Sequence, residues 1–310
     1  MSSLPPRAAL LCPGQGSQRP GVVASLDRDD RAVFDRASAA IGVDLWELGL
    51  SAPAVEIAKP SVVQPLLVAW AQADRERAGR EGRALPALHL YLGHSSGQNS
   101  AAVLCGALSF EDGVRFAYER GRLMDRDCAA APTTLLALAG VGRRIAEEIA
   151  AAAGCTIANW NAADQFVVGG GAEAVGEAQR LAAARGVKAV ALRVAGAFHT
   201  NYFRESDAAA EPLIEALPLR ESFRPMIGNA CGQLIETPAA LRAELHGQYS
   251  RPVRWVDALQ TAYDQGVRIV AVTGPGNALA GLLRRFALTV EEPIDIVRLN
   301  QPVADARARA

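Results

Sequence analysis

The chain has 310 residues, half of them hydrophobic and 21% charged. That balance excludes disorder over most of the length and suits one large or two modest domains. Lys and Arg number 32 against 33 Asp and Glu, a net charge of −1, which excludes a bulk electrostatic grip on nucleic acid.

Residues 7–12 (RAALLC) read as a short buried strand running into a Gly/Pro loop, PGQGSQRPG. Helical patterns follow around Asp30–Ile41 and Val62–Arg80. LHLYLGH at 88–94 is compact, apolar and β-favouring, the pattern of a buried parallel strand. It runs directly into Ser95-Ser96-Gly97. Asn99–Leu108 predicts a helix packed inside the protein, and Phe110–Arg126 an amphipathic one. Strands are then expected at 133–139, 155–161, 166–168 and 189–194, with helices at 143–153 and 173–185. That order, βαββαβ, is the ferredoxin-like unit. A loop at Ala195–His199, a long helical region and a strand at Pro225–Asn229 follow. The last unit is the strand VRIVAVT, the loop GPGN and a helix to Phe286; the tail after Pro302 is expected to fray. Gly169–Gly171 and Gly274-Pro275-Gly276 lack nucleotide-loop spacing and read as turns.

No apolar run reaches the ~18 residues that span a bilayer. The N-terminal stretch AALLC is shorter than the about 7–15 residues of a secretory core. The five cysteines are scattered, odd in number and without CxxC. Neither a disulfide framework nor a metal site is expected, and a cytoplasmic location fits.

Gly93-His94-Ser95-Ser96-Gly97 is a G-x-S-x-G between a strand and a helix, the setting of a nucleophile elbow. Such a turn lifts the Ser95 hydroxyl out of the sheet edge, and the helix N-terminus behind it offers backbone N–H groups to an oxyanion. Ser96 competes on chemistry alone; the motif favours Ser95. A serine needs a base. The candidates are His89, in a strand; His94, inside the elbow; His246, in a polar helical stretch; and His199, just past a strand end. The residues alone leave open whether any of them is catalytic or structural.

Six segments together resemble the malonyl-CoA:acyl-carrier-protein transacylases. They are PGQGSQ at 13–18, GHSSGQ at 93–98, Arg120 in ERGR, GAFH at 196–199, PVRW at 252–255 and GPG at 274–276. The resemblance implies an α/β fold: an α/β-hydrolase-like large domain, 1–128 and 197–310, with an inserted ferredoxin-like (βαββαβ) small domain, 129–196. It implies Ser95 as nucleophile, His199 as base, and the N–H groups of Gln15 and Ser96 as the oxyanion hole. Arg120 would hold the acyl carboxylate. Gln64 and Phe198 would line the acyl pocket, and Asn161 would lie near it. The histidine would be oriented by a backbone carbonyl in PVRW, that of Arg254. The donor would be coenzyme A thioester, malonyl-CoA, and the acceptor the phosphopantetheine of an acyl carrier protein. No permanent cofactor, metal, nucleic acid or membrane is expected, and a monomer is. Apart from the resemblance, Arg143, Arg144, Arg180, Arg185, Arg284 and Arg285 could form a basic rim for an acidic carrier protein, although such charges are more often simply a solvated face.

Departures include Gln98 for the usual glutamate after the elbow, Val272 and Asn277 around GPG, and Thr133–Leu136 without the usual Gly-x-Met. They point to a relative specialised for polyketide-type synthesis. The rival readings are a proofreading thioesterase that hands acyl groups to water, and a non-catalytic carrier-binding subunit.

Overall fold

The computed structural model describes residues 6–16, 18–83 and 86–299. The tail after Pro302, and Ser17 of the first loop, lie outside the described residues.

Strand β1 (Arg7–Cys12) is buried from Ala8 onward. Helix α1 (Arg28–Ile41) starts at a capping box, in which Asp27 and Asp30 each accept the other's backbone N–H. The short helices α2 (Leu45–Ser51) and α3 (Ala54–Ile57) lead to α4 (Pro60–Arg80). Helix α4 is buried over most of its circumference, as the apolar stretch from Pro65 to Ala71 requires. Then come β2 (Leu88–Gly93), α5 (Gly97–Leu104) and α6 (Phe110–Ala130), which the Ser109 side chain caps.

The next six elements are β3 (Thr133–Ala139), α7 (Arg143–Ala153), β4 (Thr156–Ala162), β5 (Gln165–Gly171), α8 (Ala172–Ala184) and β6 (Lys188–Ala191). The chain continues through α9 (Arg204–Glu215), β7 (Met226–Ile227), β8 (Leu234–Ile235), α10 (Pro238–Leu245), α11 (Trp255–Asp264), β9 (Val267–Val272), α12 (Ala278–Ala287) and β10 (Asp295–Arg298).

Two sheets result. The six-stranded one has the order β10-β9-β1-β2-β7-β8 and is parallel except where β8 turns back on β7. Cores on both of its faces explain why β1, β2 and β9 read as continuous apolar runs. This is the α/β-hydrolase-like part. The four-stranded sheet, β4-β5-β3-β6, is antiparallel and packs α7 and α8 over a core of its own, a ferredoxin-like unit. The two are stitched at β4. Trp160 N–H donates to the Val253 carbonyl (2.8 Å), and Val253 N–H to that of Ala158 (2.9 Å).

Gly169–Gly171 are not a turn but the end of β5, paired with β3. A Cβ on Gly169 would lie 2.7 Å from Leu135 Cδ2 and 2.9 Å from Thr200 Cγ2, so the strand is bare where the 196–200 loop rests on it. β6 stops at Ala191, short of the expected Val194.

Candidate active site

β2 delivers the elbow. A Cβ on Gly93 would sit 2.1 Å from the Gly97 backbone, and one on Gly97 2.2 Å from the Cys12 carbonyl. Only glycine at both places lets the turn fold this tightly. Ser95 is pushed to φ 53°, a left-handed conformation. Its hydroxyl donates to His199 Nε2 across 2.6 Å.

His199 ends the loop lying on β5. Ala197 N–H donates to Thr133 Oγ1 (2.9 Å) and His199 N–H to the Tyr249 carbonyl (2.9 Å). His199 Nδ1 faces the Gln248 carbonyl at 3.0 Å. A carbonyl only accepts, so Nδ1 carries the proton and Nε2 is left as the acceptor for the Ser95 hydroxyl. This corrects the expectation of Arg254. The Arg254 carbonyl accepts from Ala258 N–H at 3.0 Å, because Arg254 caps α11. The turn bearing Gln248 is fixed by Asp207 of α9, whose carboxylate accepts from the N–H of Tyr249 (3.0 Å) and of Ser250 (3.1 Å).

Burial pushes the His199 imidazole down to about 3; Arg120 adds to this and the Gln248 carbonyl opposes it. No carboxylate among the described residues bonds to the ring, so it stays neutral at pH 7. The other histidines are engaged elsewhere. His94 Nε2 meets Asn161 Oδ1 at 2.9 Å, and its ring packs edge-on against Trp255. His89 Nδ1 accepts from Ala8 N–H (3.2 Å), and His246 pairs with Glu215 (2.7 Å).

Arg120, on α6, is 1% exposed. Its Nη1 donates to Gln64 Oε1 on α4 (2.7 Å), and the guanidinium lies 4.7 Å over the Tyr249 ring. Nε and Nη2 are buried with no partner among the described residues. No carboxylate among those residues forms an ion pair with it. A buried cation with two idle donors is costly unless an anion completes it, and a planar carboxylate fits that fork. Arg115 and Arg122 are exposed and paired with Asp112 and Glu119, and Arg126 is exposed.

The acyl transferase domain family profile matches residues 9–272. The chain belongs to this family. It is 31% identical to the malonyl CoA-acyl carrier protein transacylase of Salmonella typhimurium over 96% of both chains. It is 35% identical to the polyketide biosynthesis protein ThaF of Burkholderia thailandensis over 90% of its own length, but spans only 24% of ThaF. Among solved structures, the malonyl-CoA:acyl carrier protein transacylase of Xanthomonas oryzae superimposes with a TM-score of 0.87 at 32% identity, covering 95% of each chain. A type II PKS acyl-carrier protein in complex with its malonyl-transacylase gives 0.86 at 27% identity, covering 94% of this chain and 96% of that one.

In this acyltransferase the 13–16 loop closes on the elbow. A Cβ on Gly14 would strike the His94 carbonyl at 2.4 Å. Gln15 is anchored by Gln64 Nε2, 3.3 Å from its Oε1. Ser95 N–H is taken by Asn229 Oδ1 (3.0 Å) and Gly97 N–H by the His94 carbonyl (2.9 Å). That leaves the Ser96 N–H as the elbow's uncommitted donor among the described residues. Phe198 is buried, its ring 5.2 Å from that of Phe203. Asn161 is brought to the back of the elbow through His94.

Four residues of the site lie in none of the sequence motifs: Asn229, Gln248, Asp207 and Glu244. Asn229 lies just past the end of β7, where polar residues of parallel sheets gather at sites. Glu244 holds the following turn, accepting from Ala230 (2.7 Å) and Cys231 (3.1 Å) N–H. The expected basic rim is partly neutralised: Arg143, Arg144, Arg180 and Arg285 pair with Glu147, Glu148, Glu177 and Asp164. Among the described residues no three potential ligands gather to hold a metal, and no helix is long and apolar enough to cross a membrane.

Proposed function

We propose that the protein moves a malonyl group from coenzyme A to the phosphopantetheine thiol of an acyl carrier protein through malonyl-Ser95. The observation that carries this reading is Arg120, a buried guanidinium with two idle donors, lying with His199 against Tyr249.

As Ser95 Oγ attacks the thioester carbonyl, His199 Nε2 takes its proton. The oxyanion forms toward the N–H groups of Ser96 and Gln15. The C–S bond breaks and His199 returns the proton to the departing CoA sulfur. The carrier thiol then attacks the acyl-serine, His199 takes the thiol proton, and the C–O bond breaks as Ser95 regains a proton. Arg120 holds the malonyl carboxylate through two parallel hydrogen bonds. That pairing offsets the positive charge that weighs against the imidazolium. Phe198 limits bulk beside the malonyl carbon, a steric preference worth ~1–3 kcal/mol.

The Salmonella and Xanthomonas relatives support the donor and acceptor, and the captured carrier complex supports the partner. Likeness to ThaF supports a polyketide-type pathway. The separate core under β3–β6 supports residues 129–196 as the small domain between 1–128 and 197–310. The test is a reaction of the protein with malonyl-CoA and a phosphopantetheinylated carrier. Malonyl-carrier should form, with CoA released in equal amount. Free malonic acid in its place would install the hydrolase reading.

A further inference from the structure

Gln98, in the first turn of α5, is fully buried behind the elbow, and its Oε1 accepts three donors. They are Asn229 N–H (3.1 Å), Asn229 Nδ2 and Gln248 Nε2 (2.8 Å). Three donors converging on one atom fix it as the oxygen. Asn229 in turn clamps the Ser95 peptide: its Oδ1 accepts from Ser95 N–H, and its Nδ2 donates to the Ser95 carbonyl, each at 3.0 Å. Gln248 supplies the carbonyl that orients His199. Ser95, Asn229, Gln98, Gln248 and His199 thus close a ring of hydrogen bonds through the 2.6 Å contact of the dyad.

We propose that Gln98 is a positioning residue whose single side-chain oxygen holds nucleophile and base in mutual register. It rests on the reading of Ser95 and His199 as a catalytic dyad. The ring has no other side chain spanning from the elbow to the 246–251 turn among the bonds of the described residues. Gln98 Nε2 and Gln248 Oε1, both buried, find no partner there. The site therefore uses only the acceptor of Gln98. A carboxylate would serve all three donors equally, with an added negative charge near the imidazole. The neutral amide keeps the register without that charge. The groups that bear on His199 are then Arg120 from α6, His94 from the elbow, and the Gln248 and Arg251 backbone. Asp207 of α9 reaches the turn only through the Tyr249 and Ser250 N–H groups and the Ser250 hydroxyl.

The experiment measures the single-turnover rate of acylation by malonyl-CoA across pH for wild type, Gln98→Leu and Gln98→Glu. Gln98→Leu strands three buried donors, and acylation should slow roughly tenfold to a hundredfold at every pH. Gln98→Glu keeps the acceptor, so its rate at pH 8 should stay within a few fold of wild type. Its acid limb should move to higher pH, because a nearby negative charge favours the imidazolium. A wild-type rate in Gln98→Leu overturns the inference. So does a Gln98→Glu variant slowed as much as Gln98→Leu with its acid limb unmoved, for that is the mark of packing alone. If Gln98→Leu does not fold, Gln248→Met severs only the arm toward His199. It should slow acylation about tenfold with the malonyl-CoA KM unchanged, and a wild-type rate there is equally fatal. A wild type that takes no acyl group on Ser95 defeats the dyad reading itself, whereas normal wild-type acylation with indifferent variants defeats only this inference.

Discussion

Ser95 and His199 share a backbone state as well as a hydrogen bond: among the described residues they are the two non-glycine positions with positive φ, 53° and 64°. Each such conformation is worth about 1–3 kcal/mol of strain, held by the surrounding structure. At Ser95 the elbow glycines and the Asn229 clamp hold it; at His199, the bonds to Tyr249 and Gln248 do.

Strain at the elbow has a thermal signature. Ser95→Gly and Ser95→Ala both remove the hydroxyl, but only glycine relaxes in the left-handed region. Calorimetry should place Ser95→Gly above Ser95→Ala in Tm by roughly 1–3 °C, and both variants should be inactive. An alanine variant as stable as the glycine one would mean that the posture is not strained.

The base should work far into acid. A histidine ordinarily titrates near 6.5. Burial and Arg120 push His199 down to about 3, so it remains neutral, and competent, well below that. The acid limb of kcat/KM for malonyl-CoA should therefore lie below pH 6.5. Removing Arg120 removes a like charge, raises the imidazole pKa and should move the limb to higher pH. His199→Ala should slow acylation by about two to four orders of magnitude. A limb at 6.5 in wild type, unmoved in Arg120→Ala, would contradict this electrostatic picture.

Arg120 should also select the acyl group. Arg120→Ala should lower kcat/KM for malonyl-CoA by roughly tenfold to several hundredfold. Acetyl-CoA, without the carboxylate, should be little affected. Lysine should rescue in part, lacking the planar fork. Gln64→Glu places a carboxylate where the Gln64 oxygen now accepts from Arg120 at 2.7 Å. It should compete with malonyl and raise the malonyl-CoA KM. Equal losses for both substrates in Arg120→Ala would make the arginine structural.

Asp207 acts at a distance from the chemistry. Without its carboxylate the Tyr249 and Ser250 N–H groups lose their acceptor, and the Gln248 carbonyl its fixed position. Asp207→Ala should lower kcat about tenfold to a hundredfold with KM nearly constant, and steady-state kinetics would show it. A change in KM alone would place the effect in substrate binding.

The large sheet was legible because β1, β2 and β9 are buried on both faces and read as apolar runs bounded by Gly and Pro. The limits of β3 and α7 were legible too, since turn residues flank them. Gly169–Gly171 misled because their role is to be absent as side chains beneath the 196–200 loop, a tertiary demand that looks like a turn in sequence. β10 leaves no sequence signal because DIVR is a half-exposed edge strand without an apolar run. The pairing of Ser95 with His199 was legible through the motifs that carry them. The carbonyl partner of His199 was not: any residue has a carbonyl, and only the fold of the 246–251 turn presents that of Gln248 and not that of Arg254.

The most direct measurement is the intact mass of the protein after brief exposure to malonyl-CoA, for wild type and Ser95→Ala, before and after addition of a phosphopantetheinylated carrier. Wild type should gain one malonyl group and lose it to the carrier, and Ser95→Ala should gain nothing. An adduct that persists in Ser95→Ala, or a wild type that never carries one, would contradict the account.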